Sequence, residues 1–365
     1  MGRKNPQPQP QPPSHRTLIV GNYCHDVLFK DDAVTAQTLG GATSFISAVL
    51  DTFLSEPIYI SKVGLDFSHS HQISHPPILS PSSPTTLFHA HFSSSDPHRL
   101  LKRIRSCDPI LPADLPQAKK FQFGLAAAVA GEILPETLAG MLDICETLFV
   151  DVQGLIRAFD SVDGTVSLVG LKESGFHHLL PRIRFLKASA EEAPYVGVEE
   201  ARRQCCVVVT NGEDGCTVYW RDGEHRIAPF STVQVDPTGA GDSFLGGLVA
   251  GLAHGLAVPD AAVLGNLFGS LTVGQVGLPK FDSKMLQRVK DEVVKRKMQY
   301  GCCLQGQDNG LNFEKPLGHD QFHASLAAAK LATSCSIREC QQDLNNSRTT
   351  LEQDIHQNSA PVDIN

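Results

Sequence analysis

The segment VDPTGAGDSFLGG, residues 235–247, places Gly239, Ala240 and Gly241 immediately before Asp242, where an apolar continuation predicts the start of a helix. Small residues allow consecutive backbone N–H groups to converge, and a helix N-terminus adds unpaired donors and the positive end of the helix dipole. We therefore predict an anion hole for a phosphoryl group, with Asp242 as general base for a hydroxyl nucleophile. This pattern favours phosphoryl transfer to an alcohol. The alternative is a glycine-rich helix start that Asp242 only caps.

On both sides of this segment, short apolar runs alternate with helical patterns. The runs include TLIV from residue 17, TLFVDVQG from residue 147 and CCVVVTNG from residue 205. Such alternation predicts an α/β fold with a mostly parallel sheet that helices cover on both faces. Because ligands bind at the carboxyl ends of the strands in such sheets, candidate residues lie where predicted strands end. These stretches are 22–26, 151–157, 187–192 and 210–215.

The chain divides into three regions by composition. Residues 1–16 are rich in Pro and Gln and are predicted to be a disordered tail. Residues 17–297 carry the alternating pattern and are predicted to form one domain. Residues 298–365 are polar, with one weak helical stretch (HASLAAAKLATS), and are predicted to be a tail that is poorly ordered or loosely docked.

Composition excludes several classes of function. The 365 residues carry a net charge of −8, which argues against nucleic acid or an anionic membrane as the principal partner. No run of about 18 apolar residues occurs, so we expect no membrane span. The ten cysteines contain no C-x-x-C pair, and we expect reduced thiols in the cytoplasm rather than disulfides or a zinc site. Histidines lack metal-ligand spacing.

The run DPTGAGDSFLGG resembles the C-terminal motif of the PfkB, or ribokinase-like, carbohydrate kinases, and the resemblance extends over residues 17–297. Neither a Walker A sequence nor a protein-kinase H-R-D motif is present. The resemblance implies a ribokinase-like α/β fold with a small β lid, whose strands we expect near 23–30 and 84–94. It also implies ATP as co-substrate and Mg²⁺ as cofactor.

The resemblance assigns nucleotide and cation contacts residue by residue. The implied ATP contacts are Thr210, Gly212, Gly215 and Asn266. Glu192 is implied to organise Mg²⁺ and phosphate through water, although Ser189 replaces the Asn of the family motif. Asp236 and the loop 272–277 are implied to hold a monovalent cation such as K⁺.

On the substrate side, the resemblance implies that Asp26 binds substrate hydroxyls. It also implies that Gly40 and Gly41 admit the substrate close to the backbone. Ser44 stands where the family usually has Asn, which argues for a substrate other than ribose or adenosine.

Three residues after one predicted strand have side chains suited to an uncharged polyol, which needs groups that donate and accept in pairs. They are Asp151, Gln153 and Arg157. The alternatives are that Asp151 caps a turn and that Arg157 forms a surface ion pair.

Within the family, four stretches are most similar to the plant myo-inositol kinases: LGGATSFISAVLDTF, FQFGLAAAVAGEILPETL, FVDVQGLIRAFD and DPTGAGDSFLGGLVAGL. This similarity implies ATP-dependent phosphorylation of myo-inositol to inositol 3-phosphate, which feeds phytate synthesis. One alternative is another acceptor, such as fructose, ribose or adenosine. An alternative of another class is a non-catalytic scaffold, against which the intact GAGD run argues. The oligomeric state stays open.

Overall fold

The computed structural model describes residues 16–93, 100–117, 120–300 and 311–331. The strands, numbered along the chain, are β1 Thr17–Val20, β2 Cys24–Lys30, β3 Ala33–Gly40, β4 Ile58–Ile60, β5 Lys62–Gly64, β6 Ile78–Ser80, β7 Leu87–Phe92, β8 Leu100–Arg105, β9 Phe121–Ala126, β10 Cys145–Asp151, β11 Arg157–Phe159, β12 Val166–Leu168, β13 Phe185–Ser189, β14 Cys206–Thr210, β15 Cys216–Trp220 and β16 Gly223–Ile227. The helices are α1 Ala42–Phe53, α2 Pro135–Ile144, α3 Gln153–Ile156, α4 Ala193–Val196, α5 Val198–Ala201, α6 Ala240–Ala253, α7 Val258–Thr272 and α8 Ser283–Tyr300, followed by a helix over residues 319–331.

An eight-stranded sheet forms the centre, in the order β16–β15–β14–β13–β10–β9–β1–β4. The strands from β14 to β4 pair in parallel, and β15 and β16 are antiparallel additions. All four side chains of β1 are buried, as both faces of the sheet are covered. Asp151, Ser189 and Thr210 end three neighbouring parallel strands, so the fold brings them to one edge of the sheet.

A second sheet has the order β3–β2–β7–β8, and its strand β3 leads directly into α1. We expected lid strands near 23–30 and 84–94; strands occur at Cys24–Lys30 and Leu87–Phe92, and two more complete the sheet. One of these, Ala33–Gly40, was not predicted as a strand because its outward positions are polar or small, which leaves no apolar run. Two-stranded sheets join β5 to β6 and β11 to β12.

Helices α6 and α7 pack closely because glycines remove side chains from their interface. A Cβ on Gly247 would lie 2.8 Å from the carbonyl oxygen of Leu264. The helices run in opposite directions, so the start of α6 lies beside the end of α7, where Thr272 Oγ1 donates to Ser243 Oγ at 2.8 Å. This packing fixes the first turn of α6 against the rest of the domain.

The domain extends past residue 297, where we predicted its end. Residues 311–331 pack on it, with Phe322 and Leu326 buried in the main core. Asp260 of α7 is bonded at 2.6 Å both to Arg296 Nε of α8 and to His319 Nδ1. The prediction of a tail is therefore wrong for 311–331; its parts in 301–310 and 332–365, and residues 1–15, lie outside the described residues.

Among the helices of the described ranges, none combines the length and the apolar character that crossing a bilayer requires.

Candidate active site

The predicted anion hole begins with a backbone conformation that only glycine adopts easily. Gly239 has φ 75° and precedes the first turn of α6, and a Cβ there would overlap the ring of Phe45. The N–H of Ala240 donates to Pro237 O at 3.3 Å. In the part of the chain that the structure describes, the N–H groups of Gly239 and Gly241 have no hydrogen-bond partner. They are therefore available to an anion at the helix N-terminus.

Asp242 lies next to this hole, partly buried, with its carboxylate held by a side chain from another strand end. Gln153 Nε2 donates to Asp242 Oδ1 at 3.1 Å. Burial raises the pKa of Asp242 above the ordinary value of 3.8, while the charges of Lys187 and Arg157 and the bond from Gln153 oppose that rise. A carboxylate with a raised pKa is a better proton acceptor near neutral pH, as a general base requires.

A buried ion pair supports the same region. Lys187 Nζ lies 3.0 Å from Asp151 Oδ2, and the backbone N–H of Gln153 donates to Asp151 Oδ1 at 3.2 Å. Burial raises the pKa of Asp151 to about 7, against the opposing charge of Lys187. Burial by itself would lower the pKa of Lys187, but Asp151 and the carboxylates of Glu192 and Asp242 raise it overall, so Lys187 stays a cation.

Lys187 begins the candidate stretch 187–192, but the sequence analysis assigned it no role in the site. A Cβ on Gly241 would lie 2.8 Å from Lys187 Nζ, so the ammonium group borders the anion hole. The sequence carried a signal that we did not use: Lys187 is the central residue of the buried strand FLKAS. A lysine in such a strand is seldom fully buried without a partner of opposite charge.

Arg157 acts on this cluster through its charge, and Arg157 and Asp26 both act on the thiol of Cys24. Arg157 Nη1 donates to Val129 O at 3.1 Å, and its charge acts on Asp242. Asp26 lies on β2, and with Arg157 it acts electrostatically on the buried thiol of Cys24. A Cβ on Gly40 would overlap the carboxylate of Asp26, so the missing side chain of Gly40 makes room for that carboxylate.

Ser44 and Gly41 form the start of α1 and do not join the charged cluster. Gly41 has φ 85°, and a Cβ there would overlap Asn22 O. Ser44 is buried, and its hydroxyl donates to Gly41 O at 2.7 Å. In this structure, Ser44 stabilises the first turn of the helix.

The T-x-G-x-x-G pattern forms a tight turn between β14 and β15. Gly212 and Gly215 have φ values of 58° and 83°, and Asn211 N–H donates to Gly215 O at 2.8 Å. Thr210 accepts from Ala190 N–H at 2.9 Å, which joins this turn to the next strand end. The turn therefore lies at the same edge of the sheet as Asp151.

Glu192 and Ser189 cap each other at that edge. Glu192 Oε2 accepts from Ser189 N–H at 2.7 Å, and Ser189 Oγ accepts from Glu192 N–H at 3.2 Å. Ser189, which replaces the Asn of the family motif, thus fixes the carboxylate.

Among the described residues, no three His, Cys, Asp or Glu side chains are grouped for a metal ion. Mg²⁺ usually keeps several waters and binds substrate phosphates with one or two carboxylates, and Glu192 beside the hole fits that use. Asp236 Oδ2 is buried without a hydrogen-bond partner in the described ranges, and such an oxygen fits a monovalent cation.

The bond from Gln153 to Asp242 gives a pH prediction. Replacing Gln153 by Leu removes a donor that favours the ionised carboxylate, so the pKa of Asp242 rises further. The base then loses its proton only at higher pH, and we expect the acid limb of the kcat/KM profile to move upward. The exposed Gln204→Leu serves as the control. A profile unchanged in Gln153→Leu would contradict the role assigned to this bond.

Two comparisons with known sequences bear on this geometry. The pfkB family carbohydrate kinase profile matches residues 164–283. Inositol 3-kinase of Arabidopsis thaliana is 53% identical over 337 residues, which cover 91% of this chain and 92% of that protein. The chain belongs to the pfkB family of carbohydrate kinases. As a pfkB kinase, it transfers a phosphoryl group to a hydroxyl of a sugar or polyol.

Further pfkB relatives and solved structures agree. The inositol 3-kinase of Zea mays is 51% identical, covering 88% of both chains, and that of Oryza sativa subsp. japonica is 49% identical, covering 93% of this chain and 86% of its own. A pyrophosphate-dependent kinase of the ribokinase family, complexed with a pyrophosphate analogue and myo-inositol, superposes with a TM-score of 0.63 at 15% identity, covering 72% of this chain and 97% of its own. The nucleoside kinase of Methanocaldococcus jannaschii superposes with a TM-score of 0.58 at 17% sequence identity, covering 78% of this chain and 98% of its own. The predicted ribokinase-like fold is confirmed.

Proposed function

We propose that this pfkB kinase transfers the γ-phosphoryl group of ATP to a hydroxyl of myo-inositol and forms inositol 3-phosphate. Identity of about half of all residues to three plant inositol 3-kinases supports the acceptor. The observation that carries the reaction type is the position of Asp242. It lies between the Gln153 amide, which orients it, and the free N–H of Gly241.

In this reaction Asp242 takes the proton of the attacking hydroxyl. The base needs to be unprotonated but basic, and its raised pKa meets that need. Gln153 keeps one carboxylate oxygen in a fixed orientation, and the other oxygen is left for the hydroxyl.

Charge on the transferred phosphoryl group is stabilised by donors that the fold places in advance. The N–H groups of Gly239 and Gly241 lie at the positive end of the α6 dipole, and Lys187 Nζ borders the same point. Because Asp151 anchors Lys187, the ammonium group needs no rearrangement during the reaction. Mg²⁺, when bound, neutralises the phosphates of the donor, and Glu192 would hold it through water.

The acceptor would lie between this cluster and the sheet β3–β2–β7–β8. Asp26 on β2 and Arg157 on β11 supply one acceptor and one donor for the hydroxyls of an uncharged ring. Closing this sheet over the ring would exclude water, which otherwise competes as phosphoryl acceptor. The unpartnered Oδ2 of Asp236 supports K⁺ beside the hole.

The test is turnover of the purified protein with Mg²⁺ over a panel of acceptors and donors. The acceptors are myo-inositol, fructose, ribose, adenosine and none, and the donors are ATP and pyrophosphate. We expect turnover with ATP and myo-inositol, stimulated by K⁺, and phosphate at the 3-position in the product by NMR. Turnover only with another acceptor would contradict the assignment of myo-inositol as acceptor. Turnover only with pyrophosphate would contradict the assignment of ATP as donor. No turnover by a folded protein that binds ATP would favour the scaffold alternative.

A further inference from the structure

Side chains from several parts of the chain donate hydrogen bonds to a run of backbone carbonyls that begins at the end of β16 and continues past it. This run, residues 226–231, is called the carbonyl segment. The bonds are Lys315 Nζ to Arg226 O at 3.0 Å, Asn266 Nδ2 to Ile227 O at 3.2 Å and to Ala228 O at 2.9 Å, His323 Nε2 to Pro229 O at 3.0 Å, and Lys330 Nζ to Ser231 O at 2.9 Å. The conformation of the carbonyl segment is therefore set by residues that lie elsewhere in the chain.

The helix over residues 319–331 supplies two of these donors and is itself firmly anchored. The His323 ring stacks on Phe230, with centroids 4.3 Å apart and an interplanar angle of 14°. Lys330 Nζ also donates to Ser270 Oγ of α7 at 2.9 Å. His319 is bonded to the buried Asp260, as described above, so the helix is fixed to α7 at both ends.

The carbonyl segment contacts two of the residues that we assign to the nucleotide, Gly215 and Asn266, and the chain continues from it to the predicted anion hole. A Cβ on Gly215, in the turn between β14 and β15, would overlap Ile227 O. Asn266, which the resemblance assigns to ATP, donates from its side chain to two carbonyl oxygens of the segment. The chain then passes through Asp236, whose N–H donates to Val273 O, into the anion hole at Gly239.

From this placement we propose that the helix over residues 319–331 is part of the donor site. Through the positioning residues His323 and Lys330, it holds the carbonyl segment in the conformation that receives the nucleoside of the donor. The inference rests on ATP being the donor, as proposed above. The helix over residues 319–331 lies beyond residues 17–297, to which the family resemblance extends. We expect it to influence the affinity for the nucleotide but not the affinity for the acceptor.

The physical reason is preorganisation. A binding segment that is flexible in the free protein has to be ordered when the nucleotide binds, and the lost conformational entropy lowers the affinity. Here the bonds from His323 and Lys330 exist without nucleotide, so the segment is already ordered when the chain folds and nucleotide binding does not include that cost. Removing one donor is expected to weaken nucleotide binding by about 3- to 10-fold, which is the range for one net hydrogen bond.

The experiment compares Lys330→Met with the wild type, using KM for ATP, KM for myo-inositol, kcat and ATP affinity from isothermal titration. We expect a higher KM and Kd for ATP with an unchanged KM for myo-inositol, and restoration in Lys330→Arg. Lys295→Met is the matched control, since Lys295 is exposed on α8 and pairs with Glu292. If Lys330→Met does not fold, His323→Phe keeps the stack on Phe230 and removes only the donor to Pro229, and the same split is expected.

The outcomes separate this inference from the proposed function. Wild-type turnover with ATP and an unchanged KM for ATP in the variants would overturn the inference alone. An equal rise of both KM values that Lys330→Arg fails to reverse would mean a merely structural helix and would also overturn it. A wild type that uses pyrophosphate but not ATP would overturn both, because that donor has no nucleoside.

Discussion

Replacement of Asp242 by Asn is expected to lower kcat by about 10²–10⁴-fold, the usual contribution of a general base. Asn has nearly the same shape and can still contact Gln153, so the first turn of α6 should be retained. It cannot accept a proton from the attacking hydroxyl. ATP affinity should stay close to that of the wild type, because the hole donors are backbone groups.

The measurement is steady-state turnover together with isothermal titration of ATP. Asp222→Asn, in the exposed turn between β15 and β16, is the control for loss of a carboxylate. If Asp242→Asn retained the wild-type kcat, Asp242 would be a helix cap rather than the base.

Replacement of Lys187 by Met is expected to lower both activity and stability. Loss of a preplaced donor in the anion hole lowers kcat by about 10²–10³-fold. Asp151 is left buried without its partner, which costs about 3–5 kcal/mol of the free energy of unfolding. This cost should grow as pH rises above about 7, because Lys187 lowers the pKa of Asp151 and its loss raises that pKa further above the wild-type value, so the folded variant resists an ionisation that the unfolded chain undergoes freely.

A double variant separates the two effects. Lys187→Met with Asp151→Asn removes both charges, so most of the stability should return, while kcat should stay low. Denaturant unfolding at several pH values and turnover by the same samples provide the comparison. Recovery of kcat together with stability would show that Lys187 serves the fold and not the phosphoryl group.

The alternation of apolar runs with helical patterns predicted the parallel sheet, because strands that are buried on both faces are short, nearly continuous apolar runs that can be recognised locally in the sequence. Asp151 and Gln153 were selected by the rule that ligands bind at strand ends, and their role in binding substrate stays a prediction. In the structure, Gln153 contacts Asp242 through its side chain and Asp151 through its backbone N–H. The same rule selected the stretch that begins with Lys187, but it gave no role for this lysine. That role depends on the ion pair with Asp151 and on the approach to Gly241, 54 positions further along the chain, and local sequence carries no distances of that kind.

The helix over residues 319–331 was predicted only as a weak helical stretch, and its packing on the domain was missed for a related reason. Its apolar face consists of Phe322, Leu326 and Ala329 among small and polar residues, so the pattern is weak. What stabilises it are bonds to Asp260 and to the carbonyl segment, which lie far away in the sequence. The strand Ala33–Gly40 was missed because it pairs with β2 through its backbone while its side chains remain largely outside the core.

The bond between His319 and Asp260 also has a consequence for synthesis of the chain. Translation delivers α7 to the ribosome exit well before residues 311–331 follow, so during that interval Asp260 lacks one partner and the apolar surface that Phe322 covers stays open. A ribosome that stalls in this interval leaves a nascent chain that contains every sequence motif of the catalytic centre and still has an uncovered core. Such chains are the form of this protein that chaperones would have to protect.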